Sequence, residues 1–212
     1  MTLGTDWAID WVRRSAAVIA EHRVELITLD REIGDGDHGE NMDRGFAAVM
    51  AKLDDLGEGA TPADVLKLVA TTLISTVGGA AGPLYGTAYL KASGAVAGRS
   101  DLDAAALVEA LTAARDGIVL RGKAEPGDKT MVDAWTPAVD AARSAAESGA
   151  SEAEALDAAA AAAASGAETT DALVARKGRA SYLGERSAGH RDPGAQSTAL
   201  ILRAAADAAS AS

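Results

Sequence analysis

Eight amphipathic segments, each ending at a polar or Gly/Pro-rich loop, constrain the fold of this chain more than any other feature. In residues 6–28, for example, Ile9, Val12 and Ile19 recur at steps of three to four residues or their multiples, as on one face of a helix. No stretch has the pattern of a convincing strand. The predicted helices span about residues 6–28, 40–54, 61–77, 84–96, 102–120, 129–147, 151–176 and 194–209.

The composition agrees with an all-α fold of closely packed helices. Hydrophobic residues make up 48% of the chain, but only 3% of the residues are aromatic, so the apolar content is mostly Ala, Leu and Val. An Ala run at 158–164 could be a low-complexity linker, although a packed helix is the better interpretation because Ala is the best helix former. The length of 212 residues suits one domain, residues 1–212, with a full core.

The order of the loops predicts where the chemistry lies. Short connections make neighbouring helices antiparallel, so alternate loops share one end of an up-and-down array. The loops after helices one, three, five and seven are also the Gly-rich ones that carry unusual residues, and they span 29–41, 78–83, 121–128 and 177–193. The sequence therefore predicts that these four loops form one functional face.

The first of these loops predicts a metal site. Asp30, Asp35 and Asp37 are separated by glycines, a spacing that cannot lie on one helical face but lets the carboxylates converge at a helix end. Converging carboxylates without Cys select a hard cation, Mg²⁺ before Zn²⁺. The helix that follows from about Asn41 would offer free N–H groups to a phosphate. The alternative is an Asp/Gly turn that only caps this helix.

The other loops are open to two interpretations each. Residues 78–86 combine glycines with Pro83, which suits close approach of a ligand to the backbone or simply a tight helix corner. Residues 122–130 resemble a P-loop, but Asp128 is inserted and no strand precedes them, so a Walker NTPase is rejected. Lys123 and Lys129 of this loop are predicted to be surface charges rather than phosphate contacts.

A cluster of cations stands out in a chain of net charge −11. Arg176 and Lys177 could simply stabilise a helix C-terminus, whereas Arg179 and Arg186 lie beyond it and suit a phosphate beside a metal. The following Asp192 and Pro193 have the pattern of an N-cap and first position of the last helix, which needs no ligand.

Two histidines and the overall charge bear on the possible functions. His22 is predicted to lie on the surface, and His38 could be a phosphate donor, a general base or a phosphohistidine. The negative charge argues against nucleic acid as a partner. The chain has no Cys, no signal-peptide pattern and no apolar run of membrane length, so we expect a cytoplasmic protein that does not enter membranes.

Four segments in order resemble the nucleotide-binding L subunits of dihydroxyacetone kinases (DhaL). They are LDREIGDGDHGENMDRGF at 29–46, VGGAAGPLYGT at 77–87, RGKAEPGDKTM at 121–131 and ARKGRASYLGERSAGHRDPG at 175–194. The resemblance covers essentially the whole chain. It implies an up-and-down barrel of eight antiparallel helices with the nucleotide site in the loops at one end, which agrees with the helix count.

The resemblance also implies a set of ligands. Asp30, Asp35 and Asp37 would hold two Mg²⁺ ions that bridge the phosphates of ADP or ATP. The residues implied for the nucleotide are His38, Gly39, Glu40, Asn41, Ala80, Ala81, Gly122, Met131, Arg179, Asp192, Pro193 and Gly194. Two positions depart from the family, which often has Ser at position 81 and an apolar residue at position 40.

The implied activity needs partner subunits. In the phosphotransferase-system version, a phosphohistidine on an M subunit rephosphorylates bound ADP, and the ATP formed phosphorylates dihydroxyacetone on a K subunit; a chain of this length that stands alone favours that version. No residue of this chain is expected to act as a catalytic nucleophile, and a homodimer is possible. The alternatives are an ATP-dependent kinase subunit for dihydroxyacetone or another small keto-sugar, and a phosphocarrier or regulatory nucleotide-binding module that uses His38.

Overall fold

A computed structural model describes residues 3–211, and these residues are mostly α-helical. The helices are α1 (Thr5–Glu21), α2 (Arg23–Ile33), α3 (His38–Leu53), α4 (Pro62–Thr76), α5 (Ala81–Ala95), α6 (Ala104–Gly122), α7 (Val132–Glu147), α8 (Glu152–Thr169) and α9 (Pro193–Ser210). Two 3₁₀ segments, Thr170–Ala172 and Arg179–Ser187, lie between α8 and α9. The described residues contain no β-strand, only one antiparallel bridge between Leu3 and Leu102. The prediction of an all-α fold is therefore confirmed.

The helices pack in chain order and close into a ring. From α3 to α9 each helix packs on the next, and α1 packs on both α9 and α3. Two indoles hold the closure, because Trp7 Nε1 donates to the carbonyl of Ala205 at 3.1 Å and Trp11 Nε1 to that of Ile201 at 2.9 Å. The two rings also stack, with centroids 5.3 Å apart. This arrangement agrees with the predicted up-and-down barrel.

Small residues set the spacing inside the ring. The Ala run of α8 is helical, and one face of that helix is buried against α7 and α9. At Gly166 an added Cβ would lie 2.3 Å from the carbonyl oxygen of Asp133, which shows how closely α8 approaches α7. The interpretation of this run as packed helix is confirmed, and the linker alternative is wrong.

The predicted first helix is wrong in one respect, because it is two helices. The backbone leaves helical geometry at His22 (φ −90°, ψ 9°), and α2 then continues to Ile33. Neither Gly nor Pro marks this break. The cause is tertiary, since α1 packs mainly against α9 while α2 packs mainly against α3. The extension of α2 places Asp30 on a helix, one turn before the Asp/Gly loop.

Other helix boundaries also differ from the predictions. Helix α5 begins three residues early, at Ala81, because Pro83 fits the first turn, where its missing N–H costs nothing. Helix α7 begins at Val132 rather than Lys129, since Lys129 has a left-handed backbone (φ 63°). Helix α8 ends at Thr169 rather than about 176. The predicted caps Thr61 and Asp192 are confirmed, with side chains that accept from the N–H groups of Asp64 and Ala195.

Every helix in the described part of the chain is too short or too polar to span a bilayer.

Candidate metal and phosphate site

Four helix starts surround one cavity of about 200 Å³. Helices α3, α5, α7 and α9 all begin at its wall, and residues 177–180 close one side. This is the end at which the predicted loops were expected to meet. The lining residues are Asp30, Ile33, Gly34, Asp35, Asp37, His38, Asn41, Gly78, Gly79, Ala80, Ala81, Leu84, Lys129, Thr130, Met131, Lys177, Gly178, Arg179, Ala180, Asp192, Pro193 and Gly194.

Three carboxylates converge at this cavity. One oxygen each from Asp30, Asp35 and Asp37 lies within 4.8 Å of the others. Asp30 is 9% exposed, while Asp35 and Asp37 lie at the surface of the loop. Gly36 has φ 75°, a left-handed conformation that lets Asp35 and Asp37 face the same point.

Asp30 holds the backbone of this loop through two hydrogen bonds. Its Oδ2 accepts the backbone N–H of Asp37 at 2.8 Å and that of His38 at 3.1 Å. Burial raises the pKa of Asp30; the two N–H donors lower it, and the charges of Asp35 and Asp37 raise it again. A cation placed among the three carboxylates would offset both the burial and the mutual repulsion. Three oxygen ligands without nitrogen or sulfur fit a hard divalent ion such as Mg²⁺.

The helix starts at this cavity supply backbone donors. Helices α3, α5 and α7 begin after Asp37, Ala80 and Met131, and none of these three residues makes a side-chain cap hydrogen bond. The first turn of a helix has N–H groups without an intrahelical acceptor, and such groups bind anions. The cavity therefore combines acidic ligands for a metal with donors for phosphate oxygens.

His38 is buried and belongs to a polar network behind the cavity wall. Its Nε2 lies 2.9 Å from Ser197 Oγ, and that oxygen lies 2.7 Å from the hydroxyl of Tyr85. The Tyr85 hydroxyl also contacts Thr198 Oγ1 at 2.9 Å and donates to the carbonyl of Gly194 at 3.2 Å. Burial lowers the pKa of His38 to about 4, so the ring is neutral at neutral pH. The network links the start of α3 to the start of α9.

Three of the predicted nucleotide residues, Gly39, Glu40 and Gly122, lie outside the lining of this cavity. Gly39 faces α2, because an added Cβ would lie 2.2 Å from the carbonyl oxygen of Arg23. The Glu40 side chain points to Arg23, with 3.5 Å between the charged groups. Asn41 does line the cavity, and its Oδ1 accepts from Arg44 Nη2.

The remaining predicted residues divide between this cavity and an adjoining one. Ala80, Ala81 and Met131 line the first cavity, as do Arg179 and residues 192–194. Arg179 reaches Asp35, with 3.0 Å between Nη2 and Oδ2. Gly122 instead lines a second cavity of about 400 Å³. That cavity shares walls with the first and is lined by Ala80, Pro83, Leu84, Ile118, Arg121, Gly122, Ala124, Thr130, Met131, Val132, Lys177 and Gly178.

Asp192 caps α9 from a buried position. Its Oδ2 accepts the N–H of Ala195 at 2.7 Å. The pKa of Asp192 is raised to about 7, mainly by burial. The hydrogen bond from Ala195 and the charge of Lys129 lower this pKa, and the charge of Asp133 raises it. The predicted cap is therefore present, but its environment differs from that of an ordinary surface cap.

The prediction that Lys129 is a surface charge is wrong. Lys129 is 1% exposed, lines the first cavity, and donates from Nζ to the carbonyls of Thr170 and His190. Burial lowers its pKa, whereas the charges of Asp192, Asp171 and Asp133 raise it. The sequence offered no signal of this burial, since the carbonyl partners lie 41 and 61 residues away. Lys123, six residues earlier, is exposed as predicted.

Comparisons with known proteins agree with this geometry. The family model for the DAK2 domain matches residues 32–207. The ADP-binding subunit DhaL of the PEP-dependent dihydroxyacetone kinase of Escherichia coli (strain K12) is 44% identical over 209 residues, which is 99% of this chain and 99% of that protein. The L-erythrulose 1-kinase of Mycolicibacterium smegmatis is 39% identical over 188 residues, which is 88% of this chain and 33% of that protein.

A solved structure has the same fold. The dihydroxyacetone kinase from C. freundii, crystallised in complex with AMP-PNP and Mg²⁺, superposes with a TM-score of 0.73 at 25% identity. The match covers 98% of this chain and 34% of that one.

Proposed function

This chain belongs to the DAK2 domain family, and from that premise we propose that it is the ADP-binding subunit of a PEP-dependent dihydroxyacetone kinase. In this proposal residues 1–212 form one ADP- and Mg²⁺-binding domain. A phosphohistidine of an M subunit phosphorylates the bound ADP, and the ATP formed phosphorylates dihydroxyacetone held on a K subunit. These partners and their phosphoryl donor make the cytoplasm the expected compartment.

The convergence of Asp30, Asp35 and Asp37 at a cavity ringed by helix starts carries this proposal. The three carboxylates would hold two Mg²⁺ ions, for which oxygen ligands and shared phosphates are the usual coordination. A protein of net charge −11 needs such cations to hold phosphates. The first turns of α3 and α5 would add backbone donors to the same phosphates.

The nucleotide would extend from the first cavity into the second. His38, Asn41, Ala80 and Ala81 stand at the phosphate end, where Gly39 and Glu40 could contribute only their backbone N–H groups. The apolar walls of the second cavity suit a base, and Gly122 and Met131 line it. The 192–194 segment would complete the wall between the two ends.

The residues of this chain would position the nucleotide and the metal ions, and none of them would form a covalent bond to the phosphoryl group. When bound, Mg²⁺ would neutralise phosphate charge and ADP would carry the phosphoryl group from donor to keto-sugar, a transfer that depends on positioning and charge. Arg179, whose side chain is 69% exposed beside Asp35, would add a cation where the phosphate faces a partner. Asp30 would hold the start of α3 in place through its two backbone hydrogen bonds.

The phosphocarrier alternative fits this chain less well. A phosphohistidine needs a ring nitrogen that an incoming phosphoryl group can reach. His38 is 8% exposed, and its Nε2 is engaged with Ser197. Acid-labile phosphate on His38 after incubation with a phosphorylated donor would nevertheless establish that role and overturn our proposal.

A second candidate function is an ATP-exchanging kinase for another keto-sugar. The 39% identity to one third of an L-erythrulose 1-kinase favours this function. In that kinase a domain similar to this chain forms part of a protein that acts on a different sugar. The two functions differ in how long the nucleotide stays bound. A permanent ADP is recharged in place, whereas a free ATP substrate must exchange at each turnover.

Analysis of the nucleotide in the purified protein separates these functions. The protein is dialysed with Mg²⁺ and denatured, and the released nucleotide is identified and compared with the amount of protein. We expect about one ADP per chain, from the one site proposed for each subunit. A protein that is empty after dialysis but binds ATP reversibly would favour the ATP-exchanging kinase. Absence of any nucleotide binding would reject both functions.

A further inference from the structure

Lys129 is a buried cation that joins three segments of the chain. It belongs to the loop between α6 and α7, and its Nζ donates to the carbonyl of Thr170, at the end of α8, and to that of His190, just before α9. The negative charges of Asp192, Asp171 and Asp133 favour the protonated form of Lys129 and raise its pKa. Burial of an ammonium costs free energy unless it is paired and hydrogen-bonded. The two carbonyls and the nearby carboxylates therefore stabilise Lys129 in this position.

The backbone at Lys129 is held in an unusual conformation. Its φ of 63° is left-handed, a region that ordinary side chains rarely adopt. Asp133 fixes this turn, because Oδ1 accepts the N–H of Gly127 at 2.5 Å and Oδ2 that of Thr130 at 2.8 Å. Strain of this kind persists only where neighbouring contacts determine it. From this turn the Lys129 side chain points inward and is 1% exposed.

The contacts of Lys129 lead directly to the start of α9. Thr170, whose carbonyl accepts from Lys129, also accepts the N–H of Asp192 on Oγ1 at 3.0 Å. Asp192 in turn caps α9 and precedes Pro193 and Gly194, which line the cavity. At Gly194 an added Cβ would lie 3.5 Å from Met131, so the α7 and α9 walls touch at this point.

We propose that Lys129 is a positioning residue that sets the distance between the α7 and α9 walls of the nucleotide cavity. Its ammonium holds Thr170 and His190, and through them it fixes residues 192–194 against Met131. Lys129 does not touch the phosphates in this role, and the Asp30–Asp35–Asp37 cluster does not depend on it. The inference rests on the proposed nucleotide site, but it predicts a defect that is confined to one side of that site.

Lys123 provides a matched control in the same loop. It too has a left-handed backbone (φ 51°), but it is exposed and lies at the C-terminus of α6. The Lys129→Met variant keeps most of the aliphatic stem and removes the ammonium, and Lys123→Met makes the same change at the surface. We expect Lys129→Met to bind ADP with Mg²⁺ about 10- to 100-fold more weakly, the usual effect of losing hydrogen bonds to a charged group. Lys123→Met should bind ADP as the wild type does.

A second readout separates positioning from general stability. Mg²⁺ binding measured without nucleotide should be unchanged in Lys129→Met, since the carboxylate cluster lies on another wall. Hydrogen exchange should be faster at the amides of residues 190–195 and unchanged in α3 and α4. Full ADP affinity in a folded Lys129→Met, or an equal loss in Lys123→Met, would overturn the proposal. Absence of ADP binding by the wild type would instead reject the proposed function.

Chemical rescue tests the ammonium itself. The chain has no Cys, so a Lys129→Cys variant can be alkylated at a single thiol with 2-bromoethylamine in denaturant and then refolded. The product has a sulfur in place of one methylene and carries the ammonium at nearly the length of lysine. We expect it to regain ADP affinity to within about 3-fold of the wild type, since it restores the charged hydrogen bonds. A refolded, alkylated protein that binds no better than Lys129→Met would contradict the role.

Thr170→Val tests the next link if Lys129→Met does not fold. This variant keeps the lysine and the Thr170 carbonyl and removes the hydroxyl, which accepts from Asp192 and donates to the Ala167 carbonyl within α8. Only the bond from Asp192 reaches the start of α9. We expect ADP binding to weaken by about 3- to 10-fold, as for one neutral hydrogen bond. Unchanged ADP affinity in folded Thr170→Val would show that the start of α9 does not depend on this chain of contacts.

Discussion

Three helix starts at one end of the ring differ from three at the other in how they are capped. At the end away from the cavity, α4, α6 and α8 begin at Thr61, Asp103 and Ser151, and each side chain accepts a backbone N–H of the first turn. At the cavity end, the residues that directly precede α3, α5 and α7 make no such bond, although the side chains of Asp30 and Thr130 accept the first N–H of α3 and of α7. The first end uses side chains to complete the backbone hydrogen bonds, whereas the second leaves donors available to a ligand.

The acidic residues at the two ends differ in the same sense. Hydrogen bonds from Thr61 lower the pKa of Asp64, and those from Ser151 lower the pKa of Glu154, so both carboxylates are stabilised as anions by the caps they complete. At the cavity end, burial raises the pKa of Asp30 and of Asp192. Asp30 and Asp192, which would both gain from a nearby cation, therefore lie at the cavity end of the ring.

The largest effect is expected from Asp35→Asn. Asp35 is exposed and its described partner is Arg179, so its replacement should leave the fold intact. Loss of a direct metal ligand should reduce retention of ADP with Mg²⁺ by more than the roughly 10- to 100-fold that changes to outer-shell partners cause. Isothermal titration with ADP and Mg²⁺ measures this. Asp103→Asn, at the other end, is the control and should bind normally. Equal retention by Asp35→Asn would reject the metal assignment.

A smaller effect is expected when a cap is added at the cavity end. Ala80→Asp places a carboxylate at the exposed, uncapped start of α5. Its interaction with the helix dipole should add about 0.3–1 kcal/mol to the free energy of unfolding. The same charge should weaken ADP binding by at least about 10-fold, because juxtaposed like charges cost several kcal/mol.

The matched change at the other end is Ser151→Ala. It removes the cap of α8 and should lower the free energy of unfolding by about 1 kcal/mol without changing ADP affinity. Urea denaturation gives the free energy of unfolding of both variants, and nucleotide titration gives their ADP affinity. Ala80→Asp should be more stable and bind ADP more weakly, whereas Ser151→Ala should be less stable and bind ADP normally. If Ala80→Asp binds ADP as tightly as the wild type, the start of α5 is not part of the phosphate site.

Most of this asymmetry could be predicted from the sequence, since it depends on chain order. Once the helices are taken as antiparallel, alternate loops must lie together, and the Gly- and Asp-rich loops are the alternate ones. The caps at Thr61 and Asp192 depend on local residue types and were also predicted. The wrong predictions concern features that only tertiary contacts determine. His22 interrupts a helix without a Gly or Pro because α1 packs mainly on α9 and α2 mainly on α3.

Lys129 shows the same limit at a single residue. A lysine in a polar loop is normally exposed, since burial of an ammonium costs free energy. Its two carbonyl partners come from residues 41 and 61 positions away in the sequence. No local pattern indicates those partners. At the end of α8 the chain passes into a 3₁₀ turn, where the Thr170 carbonyl accepts from both Lys129 Nζ and the Leu173 N–H.

The smallest effect concerns α9, the one helix at the cavity that does have a side-chain cap. Burial raises the pKa of Asp192 from its ordinary value of 3.8 to about 7 in the folded protein. The unfolded chain therefore releases this proton first, and the stabilisation present below about pH 3.8 is lost as the pH rises to about 7. In Asp192→Asn the amide oxygen can still accept from Ala195, and the cap no longer titrates.

We thus expect the stability of the wild type relative to Asp192→Asn to fall between pH 4 and pH 7 and to stay level above pH 7, as measured by urea denaturation. Asp103→Asn controls for the same exchange at the exposed cap of α6. A relative stability that rises with pH would mean that Lys129 keeps the Asp192 carboxylate ionised despite its burial. In that case α9 would resemble α4, α6 and α8 at the other end, and the cavity would be distinguished by α3, α5 and α7, whose N-cap residues make no capping bond.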